Sequence, residues 1–436
     1  MLIRLPNEYL DRMETVGYAD KEGVKRILER SATDYSEAFE TVKAIIEDVK
    51  REGDEALFKY SMKFDRFDLN HANIRVHDRE IDAAYKHVDR KVLESLRHAH
   101  KNIRAFHRMQ HKVAAFEWEF ETEKGVRLWE AVNPIESAGC YVPGGRAAYP
   151  STVLMTCTPA KIAGVRRIAV VSPPPISPAV LVACDIAGVD EIYRVGGAQA
   201  VAALAYGTKS IRKVSKIVGP GNKYVTAAKM MVYGAVDIDM PAGPSEVLIL
   251  ADDSASPKFI ALDLLAQAEH DPDAKSVLVS HSGGLIEKVS AELHKNRIGL
   301  GRKHGEIVAV KTRTLEESVG FANEYAPEHL EVVTKNAEKT AGKIKNAGAI
   351  FIGPYSCVAA GDYASGANHV LPTGGTAKYS SQLSVRDFMK SSSIQKISRE
   401  GLHKLGRTIM TLAQEEGLPS HTKSVEERLS DDSVKG

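Results

Sequence analysis

The sequence predicts an α/β protein that contains two parallel sheets with helices packed on them. Between about residues 130 and 245, short apolar runs ending in glycine or proline alternate with helical segments, as in AGCYVPGG, TVLMTCTPAKIAG and RRIAVVSPPP. A second alternating region begins at SEVLILAD (245–252) and continues through KSVLVSHS, EIVAVKTRT and AIFIGP. This alternation of strand, glycine turn and helix is typical of parallel sheets. We therefore expect two Rossmann-like parallel-sheet domains of incomplete dinucleotide-binding type, with helical amino- and carboxyl-terminal extensions.

The segments outside the two alternating regions are predicted to be helical. Residues 36–112 contain long stretches with 3.6-residue periodicity and few helix breakers. In the second region, Ser256 and Pro257 are typical of a helix start before FIALDLLAQAEH. After about residue 385 the chain is polar, with a single apolar stripe of Leu402, Leu405, Ile409 and Leu412. Such a tail buries too little apolar surface to fold alone, so it must pack on the body or on a partner chain.

These patterns predict four parts of the chain. They are an amino-terminal extension (1–25), a discontinuous α/β domain (26–130 plus 246–385), a second α/β domain (131–245) and a helical tail (386–436). The discontinuous domain is expected to carry the metal and acid–base residues, and the second domain to carry the cofactor. This division assumes that the amino-terminal helices pack on the sheet of residues 246–385.

Composition and charge exclude several classes of function. The 436 residues include 58 Lys and Arg against 57 Asp and Glu, and this balance disfavours a nucleic-acid-binding role. The four cysteines (Cys140, Cys157, Cys184 and Cys357) show no CxxC spacing, which is typical of free thiols in a reducing compartment. No stretch approaches the roughly 20 apolar residues of a membrane span, and the first residues do not resemble a signal peptide. We therefore expect a cytoplasmic protein with no membrane partner.

Four separated residues form a candidate set of metal ligands. Gln267 and His270 share one face near the end of a predicted helix, Asp362 follows a glycine, and His421 lies just beyond a helix stop. Two imidazole nitrogens and two oxygens suit zinc or a similar divalent ion. Each residue also has an ordinary explanation: a helix-end histidine, a turn aspartate or a surface histidine. Only their joint occurrence favours a metal site.

The stretch APEHLE (326–331) contains a candidate acid–base pair, Glu328 and His329. These two residue types are well suited to proton transfer near neutral pH. Because adjacent side chains diverge in a helix or strand, we expect the two to serve different steps. An exposed charged pair is the alternative.

Three glycine-rich turns are candidate phosphate-binding loops. VPGGR (142–146), VGGAQA (195–200) and VGPGNKY (218–224) each follow a predicted strand, and the last two open a helix. None has the G-x-G-x-x-G fingerprint of a standard dinucleotide site. Ser245, where a loop enters a strand, is equally plausible as a cap or as a substrate contact.

Taken together, these stretches resemble the histidinol dehydrogenases. The resemblance is specific at YVPGGRAAYPSTVLMTCTPAKIAGV, VGPGNKYV, DMPAGPSEVL, LAQAEHDPDA, YAPEHLE, GDYASGANHVLPTGGT and EGLPSHTKSVEERL. It implies the zinc ligands Gln267, His270, Asp362 and His421, with one ion per subunit, and the catalytic pair Glu328 and His329. It also implies NAD contacts at Tyr141, Gln199 and Asn222, and substrate contacts at Ser245, Glu416 and His369 as well as at the zinc ligands and His329.

The resemblance further implies a reaction and a partner. The expected reaction is the four-electron oxidation of L-histidinol to L-histidine through the aldehyde, with two NAD and one water, in the last step of histidine biosynthesis. The family forms homodimers in which the carboxyl-terminal tail reaches the neighbouring active site.

Three rival interpretations remain open. One is a relative of the same fold that oxidises another small polyol or amino alcohol. A second is an aldehyde dehydrogenase that uses Cys140 or Cys357 as the nucleophile, although no sequence feature pairs either thiol with a base. The third is a nucleotide-binding or scaffold protein that has lost the chemistry.

Overall fold

Two parallel sheets and one small antiparallel sheet form the framework of the chain. The computed structural model describes residues 13–29, 35–115, 117–144, 148–296 and 304–430. Sheet 1 contains β4 Ser137–Tyr141, β5 Arg167–Val171, β6 Glu191–Tyr193, β7 Lys216–Val218 and β8 Asp237–Ile238. Sheet 2 contains β1 Glu14–Gly17, β9 Glu246–Ala251, β10 Lys275–Ser280, β11 Glu306–Lys311, β12 His329–Val333 and β13 Ala349–Ile352. The two predicted parallel sheets are confirmed.

Both parallel sheets have the same strand order. Sheet 1 is ordered β6-β5-β4-β7-β8, and sheet 2 is ordered β11-β10-β9-β12-β13 with β1 added beside β11. Every neighbouring pair in both sheets is parallel. In each sheet, β1 aside, the chain therefore starts at a central strand, β4 or β9. It adds the next two strands on one side of that strand and the following two on the other side. This order creates a switch point between β4 and β7 in sheet 1, and between β9 and β12 in sheet 2.

Helices cover both faces of each sheet. One face of sheet 1 is covered by α2 Ser36–Glu52, α3 Asp54–Tyr60, α8 Gly197–Tyr206 and α9 Lys223–Val232. The other face is covered by α4 Asp78–His87, α5 Arg90–Ala114, α6 Pro150–Ala163 and α7 Pro178–Ala187. On sheet 2, one face packs against α10 Pro257–Ala268, α11 Gly283–Asn296 and α14 Val358–Tyr363. The opposite face packs against α1 Lys21–Glu29, α12 Leu315–Tyr325 and α13 Ala337–Ala341.

The amino-terminal helices pack on sheet 1 rather than on sheet 2. The apolar stripe of α2, which includes Val42, Ile45 and Val49, is buried in one core with residues of α8 and α9. The expected grouping of residues 26–130 with 246–385 does not describe this packing, because helical periodicity shows that a helix buries a face but not which sheet receives it. The residues that join sheet 2 are those of β1 and α1. The exact domain boundaries stay a prediction.

The antiparallel sheet and the carboxyl-terminal helices form a separate arm. The arm contains β2 Glu119–Glu123, β3 Val126–Pro134, β14 Met389–Ile397, α15 Arg399–Glu415 and α16 Pro419–Ser430. The expectation of a wholly helical segment from 386 is wrong for β14, which pairs with β3 along nine residues. The amide of Ser398 donates to the carbonyl oxygen of Gly125 at 2.8 Å, so α15 begins against the turn between β2 and β3. Within the described ranges, the helices include none that is both long and apolar enough to cross a bilayer.

Candidate active site

The candidate catalytic residues lie at the amino ends of β9 and β12, the two central strands of sheet 2. His329 is the first residue of β12 and lies opposite Val247 of β9. Only residues 239–245 separate the end of β8 in sheet 1 from the start of β9, a span of at most about 25 Å. The carboxyl edge of sheet 1 therefore lies near the amino edge of sheet 2. The amide of Gly243 in this linker donates to Oγ1 of Thr373 at 2.6 Å, which joins the linker to the loop after Asp362.

An unusual backbone turn delivers Glu328 and His329 to this edge. Ala326, which ends α12, has a left-handed conformation with φ 49°. A non-glycine residue in this region costs free energy, and such strain is common at functional sites. The following carbonyl oxygens of Pro327 and Glu328 accept from the amides of Gly348 and Ala349. A Cβ on Gly348 would lie 2.6 Å from the carbonyl oxygen of Glu328, so only glycine permits this approach.

Glu328 is held by a reciprocal pair of hydrogen bonds with Glu246, the first residue of β9. The amide of Glu246 donates to Oε2 of Glu328 at 2.8 Å, and the amide of Glu328 donates to Oε1 of Glu246 at 3.2 Å. The hydroxyl of Tyr325 also donates to Oε2 of Glu246 at 3.3 Å. Both carboxylates are buried. The carboxylate of Glu328 is therefore fixed in position on the strand edge.

The two ring nitrogens of His329 have different surroundings. Nδ1 lies 3.1 Å from the carbonyl oxygen of Glu246 and 3.5 Å from Oε2 of Glu328. Because a carbonyl oxygen can only accept, Nδ1 carries a proton in the neutral ring and Nε2 keeps its lone pair. Nε2 is buried without a hydrogen-bond partner among the described residues and lies 3.5 Å from Oδ1 of Asp362. The geometry thus leaves Nε2 as the nitrogen that can take a proton.

Electrostatics at the site are dominated by burial and by opposite charges. Burial disfavours the charged imidazolium of His329, but the carboxylates of Glu328 and Asp362 outweigh it and hold the pKa of His329 well above its usual value. Burial likewise opposes the charged form of Asp362, yet the close contact with His329 and the positive charge of its ring, with smaller contributions from His369 and His270, lower the pKa of Asp362. The pKa of His369 is lowered by burial, and its Nδ1 contacts the carbonyl oxygen of Asp362 at 2.9 Å. His270 and His369 are therefore both within electrostatic reach of Asp362.

Two of the predicted metal ligands, Gln267 and His270, lie at and just beyond the carboxyl end of α10. Gln267 is buried, and its Nε2 has no hydrogen-bond partner in the described chain. His270 lies two residues beyond the last residue of α10, is exposed, and its amide donates to the carbonyl oxygen of Gln267 at 3.3 Å. Ser245 precedes β9 directly, beside Glu246. Ser245 thus lies at the amino end of β9, and His270 lies within electrostatic reach of Asp362.

The two predicted residues of the tail are not joined to this group. His421 and Glu416 are exposed, on α16 and at the end of α15. Within the described chain, no hydrogen bond or ion pair connects the His421 side chain to Gln267, His270 or Asp362, and no group of three His, Cys, Asp or Glu side chains is placed to hold a metal ion. Within one subunit, His270 lies within electrostatic reach of Asp362, Gln267 lies at the end of the helix that precedes His270, and His421 lies on the arm.

The predicted cofactor residues surround the switch point of sheet 1. Tyr141 ends β4, and its hydroxyl accepts from the amide of Gly197 at 3.0 Å. Gln199 is buried in the first turn of α8, and its Oε1 has no partner in the described residues. Asn222 caps α9 by accepting from the amides of Tyr224 and Val225. Of the three predicted glycine turns, VPGGR lies partly outside the described residues, and the other two open α8 and α9 as expected.

A buried ion pair supports the glycine turn after β7. Lys229 and Asp239 pair in the interior, and Nζ of Lys229 donates to the carbonyl oxygen of Gly219 at 2.9 Å. The amide of Gly219 donates to Oδ2 of Asp239 at 2.8 Å. Gly219 has φ 114°, and a Cβ there would lie 2.3 Å from the carbonyl oxygen of Tyr141. The pair therefore holds both peptide groups of a turn that passes against the end of β4.

Two groups of buried acids near the site were not predicted from the sequence. Glu246 was treated only as part of an apolar strand, although an ionisable first residue in SEVLILAD was a detectable signal. Glu331, two residues after His329, forms a carboxyl–carboxyl hydrogen bond with Asp263 of α10. Burial and the charge of Asp263 raise the pKa of Glu331 to about 8, and burial raises the pKa of Asp263 to about 6. Glu331 therefore stays protonated near neutral pH and donates to Asp263.

The buried thiols lack the surroundings of a nucleophile. Contact with Cys157, followed by burial, raises the pKa of Cys140 well above its usual value. Cys357 lies at a small cavity that Asp263 and Glu331 also line. This geometry argues against the cysteine-dependent aldehyde dehydrogenase.

The matches to known proteins cover nearly the whole chain. The family model described as histidinol dehydrogenase matches residues 28–429. The chain is 50% identical over 417 residues to the histidinol dehydrogenase of Methanococcus maripaludis, which covers 93% of this chain and 96% of that protein. It is also 50% identical over 425 residues to that of Methanothermobacter thermautotrophicus, with coverage of 94% and 98%. The crystal structure of histidinol dehydrogenase from Elizabethkingia anophelis matches with a TM-score of 0.90 and 38% identity over 96% of this chain and 98% of that one. The chain belongs to the histidinol dehydrogenase family.

Proposed function

We propose that this chain oxidises L-histidinol to L-histidine through the aldehyde, using two NAD and one water. The single observation that carries the proposal is the geometry of the Glu328–His329 pair. Nδ1 of His329 contacts a backbone carbonyl oxygen, Nε2 has no hydrogen-bond partner among the described residues, and the fixed carboxylate of Glu328 lies beside the ring. Only the second of the two oxidations consumes water. The reaction therefore needs one base for the substrate hydroxyl and another base for the water. NAD supplies the acceptor for two electrons in each half-reaction.

In the first half-reaction, Nε2 of His329 is the proposed base for the substrate hydroxyl. The Nδ1 contact with the carbonyl oxygen of Glu246 fixes both the ring orientation and the tautomer that leaves Nε2 free. A proton leaves the alcohol oxygen for Nε2 while two electrons and a hydrogen leave the adjacent carbon. The aldehyde is the product of this step.

In the second half-reaction, Glu328 is the proposed base for water. Its carboxylate is fixed by the amide of Glu246, so it can accept a proton from a water molecule aimed at the aldehyde carbon. Addition of that water gives the hydrated aldehyde, and removal of a second pair of electrons gives the carboxylate. Retention of the aldehyde between these steps would protect it from side reactions in solution.

Gln267, His270, Asp362 and His421 fit a zinc ion in their chemistry. A buried Gln267 amide that would ligate through its oxygen, an imidazole within electrostatic reach and a carboxylate with a lowered pKa are donor types that suit such an ion. When bound, one zinc per subunit would orient the substrate's imidazole and amine, and its charge would favour the neutral form of His329. Ser245, Glu416 and His369 are the further proposed substrate contacts, and Tyr141, Gln199 and Asn222 are the proposed NAD contacts.

A homodimer is the proposed assembly, with His421 and Glu416 supplied by the partner's arm. Two observations support it. Both residues are exposed on an arm that packs mainly on its own strands and helices. The arm also exposes large apolar side chains, namely Trp118, Phe120, Ile397, Leu412 and Leu418, and such surface is typical of a subunit contact.

The proposed activity is tested by counting products. Purified protein with zinc, L-histidinol and excess NAD should form two NADH and one histidine for each histidinol consumed. Other amino alcohols and small polyols, tested at equal concentration, should react far more slowly. One NADH per histidinol with release of the aldehyde would reject the double oxidation, and faster oxidation of another alcohol would favour the same-fold alternative.

A further inference from the structure

The cofactor crevice of sheet 1 lacks an acidic residue at its usual place. In folds with this strand order, an acid at the end of the second strand binds the adenosine ribose hydroxyls and selects NAD over NADP. The second strand here is β5, and the residues that follow Val171 are Ser172 and Pro173. If the sheet itself supplies no acid, selectivity has to come from another part of the chain.

Asp65 is an acid that reaches this crevice from outside the sheet. It ends the single π-helical turn Ser61–Asp65, and Arg66 after it has a left-handed backbone with φ 55°. A π-turn and a left-handed non-glycine residue both cost free energy and recur at functional sites. Oδ2 of Asp65 is buried and has no hydrogen-bond partner among the described residues. Burial without a partner raises the pKa of Asp65 to about 6.

The turn that contains Asp65 continues from α3, whose Tyr60 packs in one core with Tyr141 at the end of β4. The charge of Asp65 acts on the hydroxyl of Tyr141, the residue that accepts from the amide of Gly197. The second unpaired oxygen is Oε1 of Gln199. It lies beside the same Gly197, since a Cβ added to that glycine would be 2.6 Å from it. Two buried acceptor oxygens, which have no donors among the described residues, thus lie near the end of β4. A ligand that satisfies them has to bring hydroxyl or amide donors, since unpaired buried acceptors are costly.

We propose that Asp65 accepts a hydroxyl of the adenosine ribose and thereby makes this chain selective for NAD over NADP. The proposal rests on the proposed function, since it assigns a residue to the same NAD site. A ribose diol offers donors to the unpaired oxygens, whereas a 2′-phosphate offers acceptors and negative charge. The exposed Arg66 beside Asp65 would then be available to a phosphate once the acid is removed.

The test compares Asp65→Asn and Asp65→Ala with the matched variants Asp68→Asn and Asp68→Ala. Asp68 lies three residues away and is exposed, so its variants control for lost charge in the same segment. For Asp65→Ala we expect a roughly 10- to 100-fold weaker Kd for NADH, measured by fluorescence titration, as for a lost hydrogen bond to a charged group. For Asp65→Asn we expect at least a roughly tenfold shift toward NADPH in both the Kd ratio and the kcat/KM ratio. The KM for histidinol should not change.

The outcomes separate this proposal from the proposed function. Asp65 variants that fold, bind NADH and discriminate against NADPH as the Asp68 variants do would overturn the role of Asp65 and leave the enzyme activity intact. Equal losses for NADH, NADPH and histidinol would also overturn it, because a general structural defect has no preference between cofactors. A wild-type protein that does not reduce NAD with histidinol would instead reject the proposed function.

Discussion

At the residue scale, Glu328 and His329 are adjacent in sequence but have different partners. The carboxylate of Glu328 accepts from a backbone amide, whereas Nδ1 of His329 contacts a backbone carbonyl, and both backbone groups belong to Glu246. One residue of the neighbouring strand therefore orients both members of the pair. The sequence predicts that the two side chains serve different steps, and that division stays a prediction that kinetics can test.

Replacement of Glu328 should separate the two half-reactions. In Glu328→Gln the amide cannot take a proton from water, so oxidation of the aldehyde should slow by roughly 10²- to 10⁴-fold while oxidation of the alcohol is largely spared. NADH formation from histidinol and from histidinal, measured separately, gives the two rates. Glu324→Gln, at an exposed position in the same segment, is the matched control. Equal losses in both half-reactions would contradict the assignment of Glu328.

The Asp263–Glu331 pair should make the folded state less stable as the pH rises through neutrality. Because the pKa of Glu331 is raised to about 8, the folded state keeps a proton that the unfolded state loses, so stability falls as the pH rises from about 5 to about 8. We expect this decrease to be several kcal/mol, because each unit of difference between the folded and unfolded pKa of Glu331 contributes about 1.4 kcal/mol. In Glu331→Gln the amide still donates to Asp263 but does not titrate, so urea unfolding should show a flatter pH dependence. The same slope in wild type and variant would show that Glu331 ionises normally in the folded protein.

At the scale of elements, the turn after β7 depends on the buried Lys229–Asp239 pair. Lys229→Met would leave the charge of Asp239 buried without compensation and cost about 3–5 kcal/mol of stability. The double variant Lys229→Met/Asp239→Asn removes both charges, so it should be more stable than the single variant. Urea unfolding of the three proteins measures the difference. If the double variant is no more stable than the single one, the charge imbalance is not the cause.

The parallel strands were predictable from sequence, whereas the antiparallel sheet was not. Buried strands such as β9 and β10 are continuous apolar runs, which is the local signature of a parallel sheet. By contrast, β14 is MKSSSIQKI, a mostly exposed polar segment whose partner β3 lies more than 250 residues earlier. Its strand conformation comes from that distant pairing, which no local pattern reveals. For the same reason, the packing of α2–α5 on sheet 1 could not be predicted from sequence.

The candidate site was predicted in its residues but only partly in its arrangement. Recognisable stretches identified Glu328, His329, Asp362 and His369, and the structure brings these together at the strand edge. Glu246 was missed, because its role depends on the register between β9 and β12. Register is a tertiary property that spacing along one strand cannot supply.

At the scale of the whole molecule, the two sheets share one strand order but use opposite edges. The candidate cofactor residues lie at the carboxyl ends of β4 and β7, as expected for a switch point. The catalytic pair instead lies at the amino ends of β9 and β12. Residues 239–245 connect these edges, so the proposed substrate and cofactor sites face each other across a short linker.

The arm carries two residues that the proposed mechanism needs but that do not contact the described catalytic residues of the same subunit. Its exposed His421 and Glu416 lack contacts to the described catalytic residues. His421→Ala should therefore reduce zinc content and activity without unfolding the chain, as measured by metal analysis and circular dichroism. Full zinc content and activity in this variant would remove His421 from the ligand set.

Mixing two inactive variants tests most directly whether an active site is built from two chains. His421→Ala lacks the proposed arm ligand, and His329→Ala lacks the proposed base. If arms exchange between subunits, a dimer with one copy of each variant contains one intact site. Random re-association of equal amounts should then restore about a quarter of the wild-type activity, because half of the dimers are mixed and each has one active site of two. Mixed dimers that form, as shown by differential affinity tags, but remain inactive would contradict the shared site.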